Sequence, residues 1–357
     1  MKLTHGDASE FNTLSEDPDC RETALPALDS WITPTERFYV RSHFSKIPDA
    51  DASTWRLSVE GEVERSLDLG YEELSSLPSR SIVATLECAG NSRSYLTPPA
   101  EGINFRHGAV GNAEWTGVPL RELLSRAGPK QDAVEALFEG ADSGEEEEEG
   151  VKLEIDYARS LPLQKALDPD TLVAYQMNGE PLQPVHGYPL RLIVPGWYGM
   201  ASVKWLRRVT VLATPYEGFF QSRRYVYIPT GEAQPNWEPV TSLQVKSLTT
   251  RPRHGEVVQR GEFIVQGVAW SEGGEITRLE LSTDGGLSWR EADLFGPQAA
   301  GAWRRWKSEW HATTPGHFIL MCRAVDSGGN TQPASIPWNF RGYANNSIHS
   351  IAVEVPG

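Results

Sequence analysis

Cysteine is nearly absent from this chain: Cys20, Cys88 and Cys322 are the only three in 357 residues. They stand far apart without any CxxC spacing, which argues against a zinc knuckle or a disulfide framework and suits a reducing compartment. No stretch approaches the run of about 18 apolar residues that spans a bilayer, so no membrane partner is expected. Residues Met1 to Asn12 carry no apolar export core and no twin arginine, so the expected location is cytoplasmic, or periplasmic if an export signal has been removed. Positive charge is in deficit as well, with 33 Lys and Arg against 48 Asp and Glu for a net charge of −15. That balance argues against nucleic acid, which needs a basic footprint. A pocket built from a few arginines would still be locally positive. Among the eight histidines there is no Ser-His-Asp or nucleophile-elbow pattern, which argues against a hydrolase.

What is present falls into segments of different character. The length exceeds what one core usually serves, and two domains are expected. Residues 1–30 are polar and acidic and read as a surface extension without a core of its own. Residues 31–235 mix short strands with helices. Leu120, Leu123, Leu124 and Ala127 fall at i, i+3, i+4 and i+7 before Gly128 and Pro129, the pattern of one amphipathic helix. Leu190 to Val194, closed by Pro195 and Gly196, reads as a buried strand. Glu145 to Glu149 is a block of like charges, which reads as a solvated loop, or else as a docking patch for a basic electron carrier.

Residues 236–357 change to short alternating segments. Glu262 to Trp270 and Ile276 to Ser282 read as strands, with Asp284-Gly285-Gly286 as a hairpin turn. Phe318, Leu320, Cys322 and Ala324 alternate, which places Cys322 in a core facing a second sheet. Seven of the 12 tryptophans lie from Trp237 onward and supply bulk for such a core. The fold class expected is therefore α+β, a mixed domain followed by an all-β immunoglobulin-like sandwich.

The residue that carries most chemical information is Cys88, in Thr85-Leu86-Glu87-Cys88-Ala89-Gly90-Asn91-Ser92-Arg93. An apolar run, Ile82 to Leu86, leads into a glycine-bearing turn, so Cys88 stands at a strand end where a sheet presents a side chain to a ligand. Arg93 would favour the thiolate that binds a soft metal.

These residues resemble the sulfite oxidase family. The likeness continues through Tyr39-Val40-Arg41-Ser42-His43, Gly108 to Leu120, His186-Gly187-Tyr188-Pro189-Leu190-Arg191, Ser202-Val203-Lys204-Trp205-Leu206 and Trp338-Asn339-Phe340-Arg341-Gly342, in one order over residues 31–350. It implies a molybdenum-molybdopterin cofactor bound by the mixed domain and a C-terminal domain that forms a homodimer. Cys88 is carried over as the metal ligand. The cofactor-binding positions implied are Tyr39, Arg41, His43, Asp142, His186, Arg191, Ser202, Val203 and Lys204. Arg41, Arg93 and Arg341 would hold a compact oxyanion, since guanidinium matches it bidentately and stays charged. Tyr225 is the implied active-site tyrosine, a hydrogen-bond donor or proton relay.

The activity implied is oxidation of sulfite to sulfate by oxygen-atom transfer, with electrons passed to an external acceptor, cytochrome c or dioxygen. An acidic surface would steer a basic carrier. Three positions depart from the family pattern: Arg224 stands where an Asp often precedes the tyrosine, Phe105 where a pocket tryptophan is usual, and Ser42 where Asn is usual. Two other readings stand beside the main one. A reductase of the same fold would act on nitrate or a sulfoxide, and a non-enzymatic binding protein would keep Cys88 merely buried.

Overall fold

The computed structural model describes residues 11–148, 150–228 and 237–357. The expected boundary between residues 235 and 236 lies outside the described residues, as does Glu149.

Five adjoining segments build the sheet that carries Cys88. Arg80–Glu87 runs antiparallel to Val110–Pro119, which pairs with Leu172–Met177, and that strand is flanked by Glu180–Pro181 and Arg191–Ile193. A second five-stranded sheet has the order Leu67–Gly70, Arg56–Gly61, Leu206–Leu212, Glu135–Glu148, Val151–Pro162. The amphipathic helix forms as the spacing predicts, over Leu120–Ala127, with all four apolar positions buried and Gly128 closing it at φ 71°. A left-handed C-terminal residue is where glycine avoids a Cβ clash. Burial of each of those leucines is worth roughly 1.5–3 kcal/mol.

The acidic run is a correction. Glu145 to Glu148 continue the strand Glu135–Glu148 and pair with Val151–Pro162, Glu145 opposite Glu154 and Glu148 opposite Val151. Cross-strand pairing supplies the backbone partners that local charge repulsion alone would not predict. Lys152 also meets Glu145 at 2.5 Å across the hairpin.

The N-terminal stretch is a second correction. Phe11–Glu16 and Asp19–Thr23 pair with each other and then with Val40–Arg41, so Cys20 lies opposite Arg41. Cys20 is 0% exposed and Leu28 1%. The segment contributes to the core because its backbone is needed as the edge of the strand that carries Arg41.

The C-terminal part is an all-β sandwich. Its seven strands follow the order Lys246–Arg251, Gly261–Trp270, Arg304–Ala312, Arg290–Phe295, Ile276–Ser282, Gly316–Asp326, His349–Val355. Cys322 sits in its core with the hydroxyls of Ser247 and Thr249 each 3.4 Å from its sulfur, which places it against the opposing strand as expected. Trp303, Trp306 and Trp270 are buried.

Candidate active site

The strand Arg80–Glu87 ends one residue before Cys88, and the turn that follows is closed by its own backbone. Asn91 N–H donates to the Cys88 carbonyl at 2.9 Å, and Cys88 N–H donates to Ala109 at 2.9 Å. The turn passes close against Arg93 here: a Cβ added at Gly90 would stand 2.8 Å from the guanidinium carbon. The turn thus turns the sulfur towards a pocket.

That pocket brings together Tyr39, Arg41, His43, Cys88, Asp142, His186, Arg191, Ser202, Lys204 and Tyr225. These side chains come from at least six separated segments. Val203 is not in the wall: it is 1% exposed, and its carbonyl accepts from Leu192 N–H at 2.8 Å. Phe105, expected as an aromatic wall, is 1% exposed in the core behind the Cys88 strand and does not line the pocket.

The three arginines are not equivalent. Arg41 lines the pocket, and its guanidinium donates to the Ser42 carbonyl and approaches the Cys20 sulfur at 3.7 Å. Arg93 instead donates to the Arg341 carbonyl at 2.8 Å and the Ile103 carbonyl at 2.7 Å, and lies over the Tyr343 ring at 5.1 Å. Arg341 pairs with Glu101 at 2.9 Å. The expected convergence of all three on one wall is therefore corrected to Arg41 in the wall, with Arg93, which lies over the Tyr343 ring, and Arg341 outside it. Backbone carbonyls and Glu101 hold the latter two.

Charge at the site follows burial. Burial pushes the Cys88 thiol above its usual value, opposed first by Arg41, then by the Gly90 N–H and Arg93. Arg93 favours the thiolate as expected, but burial outweighs the cations, and Arg41 is the stronger of the two. Burial, reinforced by Arg41 and Lys204, holds His43 well below its ordinary value. His186 is lowered to about 3 by burial and then by Arg191 and Lys204. Burial raises Asp142 and lowers Lys204, and each partly offsets the other's shift. Burial also raises Tyr225, so its hydroxyl stays protonated. That hydroxyl lies 2.5 Å from His43 Nε2.

The wall fits a molybdopterin. Asp142 Oδ1 and Arg191 Nε are buried in it without a hydrogen-bond partner, an expensive condition unless a ligand completes them. Lys204 adds a cation suited to phosphate, and Cys88 is a free thiol. Among the described residues no group of three or more His, Cys, Asp or Glu is placed to hold a metal ion. A metal at Cys88 therefore needs donors carried by its own organic ligand.

Several contributors were not visible in the sequence. Tyr157 stacks on His43 with ring centroids 4.3 Å apart and donates to the Met200 carbonyl at 2.7 Å. Arg159 is 0% exposed and donates to the carbonyls of Phe220 and Val240, buttressing the π-helical turn Phe220–Arg224 that precedes Tyr225. Nothing local marks either residue, because the groups each one touches, His43 and Met200 for Tyr157 and Phe220 and Val240 for Arg159, are distant in sequence. The Arg224 departure has a structural counterpart: its guanidinium lies 3.9 Å from Glu146 of the acidic hairpin.

Residues 44–220 match a family model described as an oxidoreductase molybdopterin binding domain, and residues 238–356 one described as a Mo-co oxidoreductase dimerisation domain. The chain is 37% identical over 351 residues to mitochondrial sulfite oxidase of Rattus norvegicus, covering 92% of this chain and 62% of that protein. It is 32% identical to sulfite oxidase of Arabidopsis thaliana, covering 92% of this chain and 89% of the relative. Among solved structures, the sulfane dehydrogenase SoxCD from Paracoccus pantotrophus superposes with a TM-score of 0.83 at 31% identity, over 97% of this chain and 88% of that one. The chain spans about 62% of the length of the mammalian relatives it matches.

Proposed function

The chain belongs to the sulfite oxidase family of molybdenum oxidoreductases, and from that premise we propose that it oxidises sulfite to sulfate and passes the electrons to an external acceptor. The observation that carries this reading is the shared wall of Cys88, Arg41 and Tyr225 beside the unpartnered atoms of Asp142 and Arg191. A bound molybdopterin supplies two-electron oxygen-atom transfer. Cys88 would be its protein ligand. Asp142, His186, Arg191, Ser202 and Lys204 would hold the pterin and its phosphate. Tyr39, 8% exposed in the same wall, would pack beside them.

Arg41 would orient the substrate anion, and burial strengthens that attraction relative to water. His43, kept neutral, and Tyr225, kept protonated, share one short hydrogen bond and would hold a proton at the pocket rather than release it. For the acceptor, the acidic hairpin and a net charge of −15 favour a basic carrier such as cytochrome c over a neutral one by long-range attraction. The match to a dimerisation domain supports a homodimer through the sandwich.

The test is metal analysis of the purified protein joined to two assays, sulfite with ferricyanide and nitrate with reduced viologen. Near-stoichiometric molybdenum, lost in Cys88→Ser, with turnover in the first assay is expected. Turnover only in the second would replace the proposal with the reductase reading, and metal-free, folded protein from a cofactor-competent host would favour a binding protein.

A further inference from the structure

Glu87 precedes Cys88 directly, and its carboxylate is buried between the two domains with 1% side-chain exposure. Three donors meet its two oxygens. Lys246 Nζ and Asn91 Nδ2 donate to Oε1 at 2.7 and 3.0 Å, and Trp270 Nε1 donates to Oε2 at 2.9 Å. Lys246 and Trp270 are sandwich residues. Lys246, 2% exposed, spends a second bond on Ser92 Oγ at 2.9 Å.

The rest of the Cys88 turn is gripped from the same side. Ala344 N–H donates to the Ala89 carbonyl and Asn345 Nδ2 to the Ser92 carbonyl, both at 2.9 Å. The Arg341 carbonyl accepts from Arg93 Nε at 2.8 Å. Residues 87, 89, 92 and 93 are thus all anchored to the C-terminal domain, and Cys88 lies between the anchors.

We propose that Lys246 and Trp270 are positioning residues, which clamp Glu87 and thereby fix the direction of the Cys88 sulfur from the second domain. The proposal rests on Cys88 being the metal ligand. A buried ion pair is weak evidence for stability, since an apolar pair of the same volume packs as well. Its distinctive property is orientation. A carboxylate accepts all three donors at once, whereas Gln in its place would turn an N–H towards one of them. Ligand direction is what neighbouring hydrogen bonds control at metal sites.

The clamp is tested in full-length, cofactor-free protein by following iodoacetamide alkylation of each cysteine with mass spectrometry. Cys322, sealed in the sandwich, reports global opening. In Lys246→Met, and to a smaller degree in Trp270→Phe, alkylation of Cys88 is expected to quicken by about five-fold or more while Cys322 is unchanged, as local opening requires. In the loaded enzyme the same variants are expected to shift the Mo(V) spin-resonance signal. An unchanged Cys88 rate, or a parallel rise at Cys322, overturns the clamp. Trp270→Phe decides the matter if Lys246→Met does not fold, because it leaves the ion pair in place. Metal analysis of the unaltered protein separates the two failures: absence of molybdenum defeats the functional reading, whereas the alkylation rates still judge the clamp.

Discussion

The Nε2 atom of His43 and the hydroxyl of Tyr225 lie 2.5 Å apart, joining residues 182 positions distant in the chain. Tyr225 also stacks on Tyr343 with ring centroids 5.2 Å apart, so its ring stays held if the hydroxyl is removed. Tyr225→Phe is therefore expected to lower kcat by about 100-fold with a smaller change in KM, the size usual for a lost proton-handling group. Because burial holds His43 low and Tyr225 high, neither should titrate between about pH 6.5 and 10. Steady-state sulfite oxidation across that range checks both statements, and a kcat in Tyr225→Phe equal to that of the unaltered chain refutes the first.

Arg41 and Arg341 should differ in weight. Arg41 faces the pocket, while Arg341 is committed to Glu101. Arg41→Gln is expected to reduce kcat/KM for sulfite by roughly 100-fold, and Arg341→Gln by less than about ten-fold, following the loss of a charge-assisted contact in a water-poor site. The reverse order would show that Arg341 leaves Glu101 when substrate binds.

Glu146 and Arg224 form a partly exposed pair, 14% and 24% exposed, that ties the acidic hairpin to the turn before Tyr225. A double-mutant cycle of Glu146→Gln and Arg224→Gln, read by urea unfolding, is expected to return a coupling of about 0.5–1 kcal/mol, the range for such pairs. Arg224→Asp should cost more than Arg224→Gln, since it sets a second carboxylate against Glu146. Additive single substitutions would show that the pair contributes nothing.

Acid should destabilise the fold. His349 is held to about 3 by burial and then by Lys246 and His254, against about 6.5 in the unfolded chain. As pH falls, the unfolded chain takes up the proton first. Stability is then full above about pH 6.5 and declines below it, by up to about 1.4 kcal/mol per pH unit from this group. His43, His107 and His186 act in the same direction. His349→Gln keeps an acceptor for the Thr249 N–H, and its urea midpoint should fall less between pH 7 and 5.5 than that of the unaltered chain. An identical fall would remove His349 from the account.

Gly140 is a close-approach position rather than a flexible one. A Cβ there would lie 2.3 Å from Asp142 Oδ1 and 2.8 Å from the Lys204 carbonyl. Gly140→Ala is expected to cost about 1–3 kcal/mol as overpacking and to reduce molybdenum content by displacing Asp142. Full occupancy with unchanged stability would show that the wall yields.

Much of this was legible along the chain. The helix at Leu120–Ala127 and the strands of the sandwich follow from periodicity, because one buried face is enough to set the pattern. Cys88 was readable from its strand-end context. The acidic hairpin was not: a run of like charges carries no period, and the strand state of Glu145 to Glu148 depends on a partner strand that pairs Glu145 with Glu154. Cys20 was equally hidden, since its burial comes from pairing opposite Arg41.

The amino-acid sequence by itself determined the cysteine at a strand end, the supply of cations and the two kinds of secondary structure, since these depend on residue type and short-range spacing. Tertiary structure alone decided which arginine faces the pocket and that Lys246 reaches Glu87 across 159 positions. The physical reason is that a buried charge is placed by whatever partner packing brings to it, and no local pattern encodes contacts closed only when two domains meet.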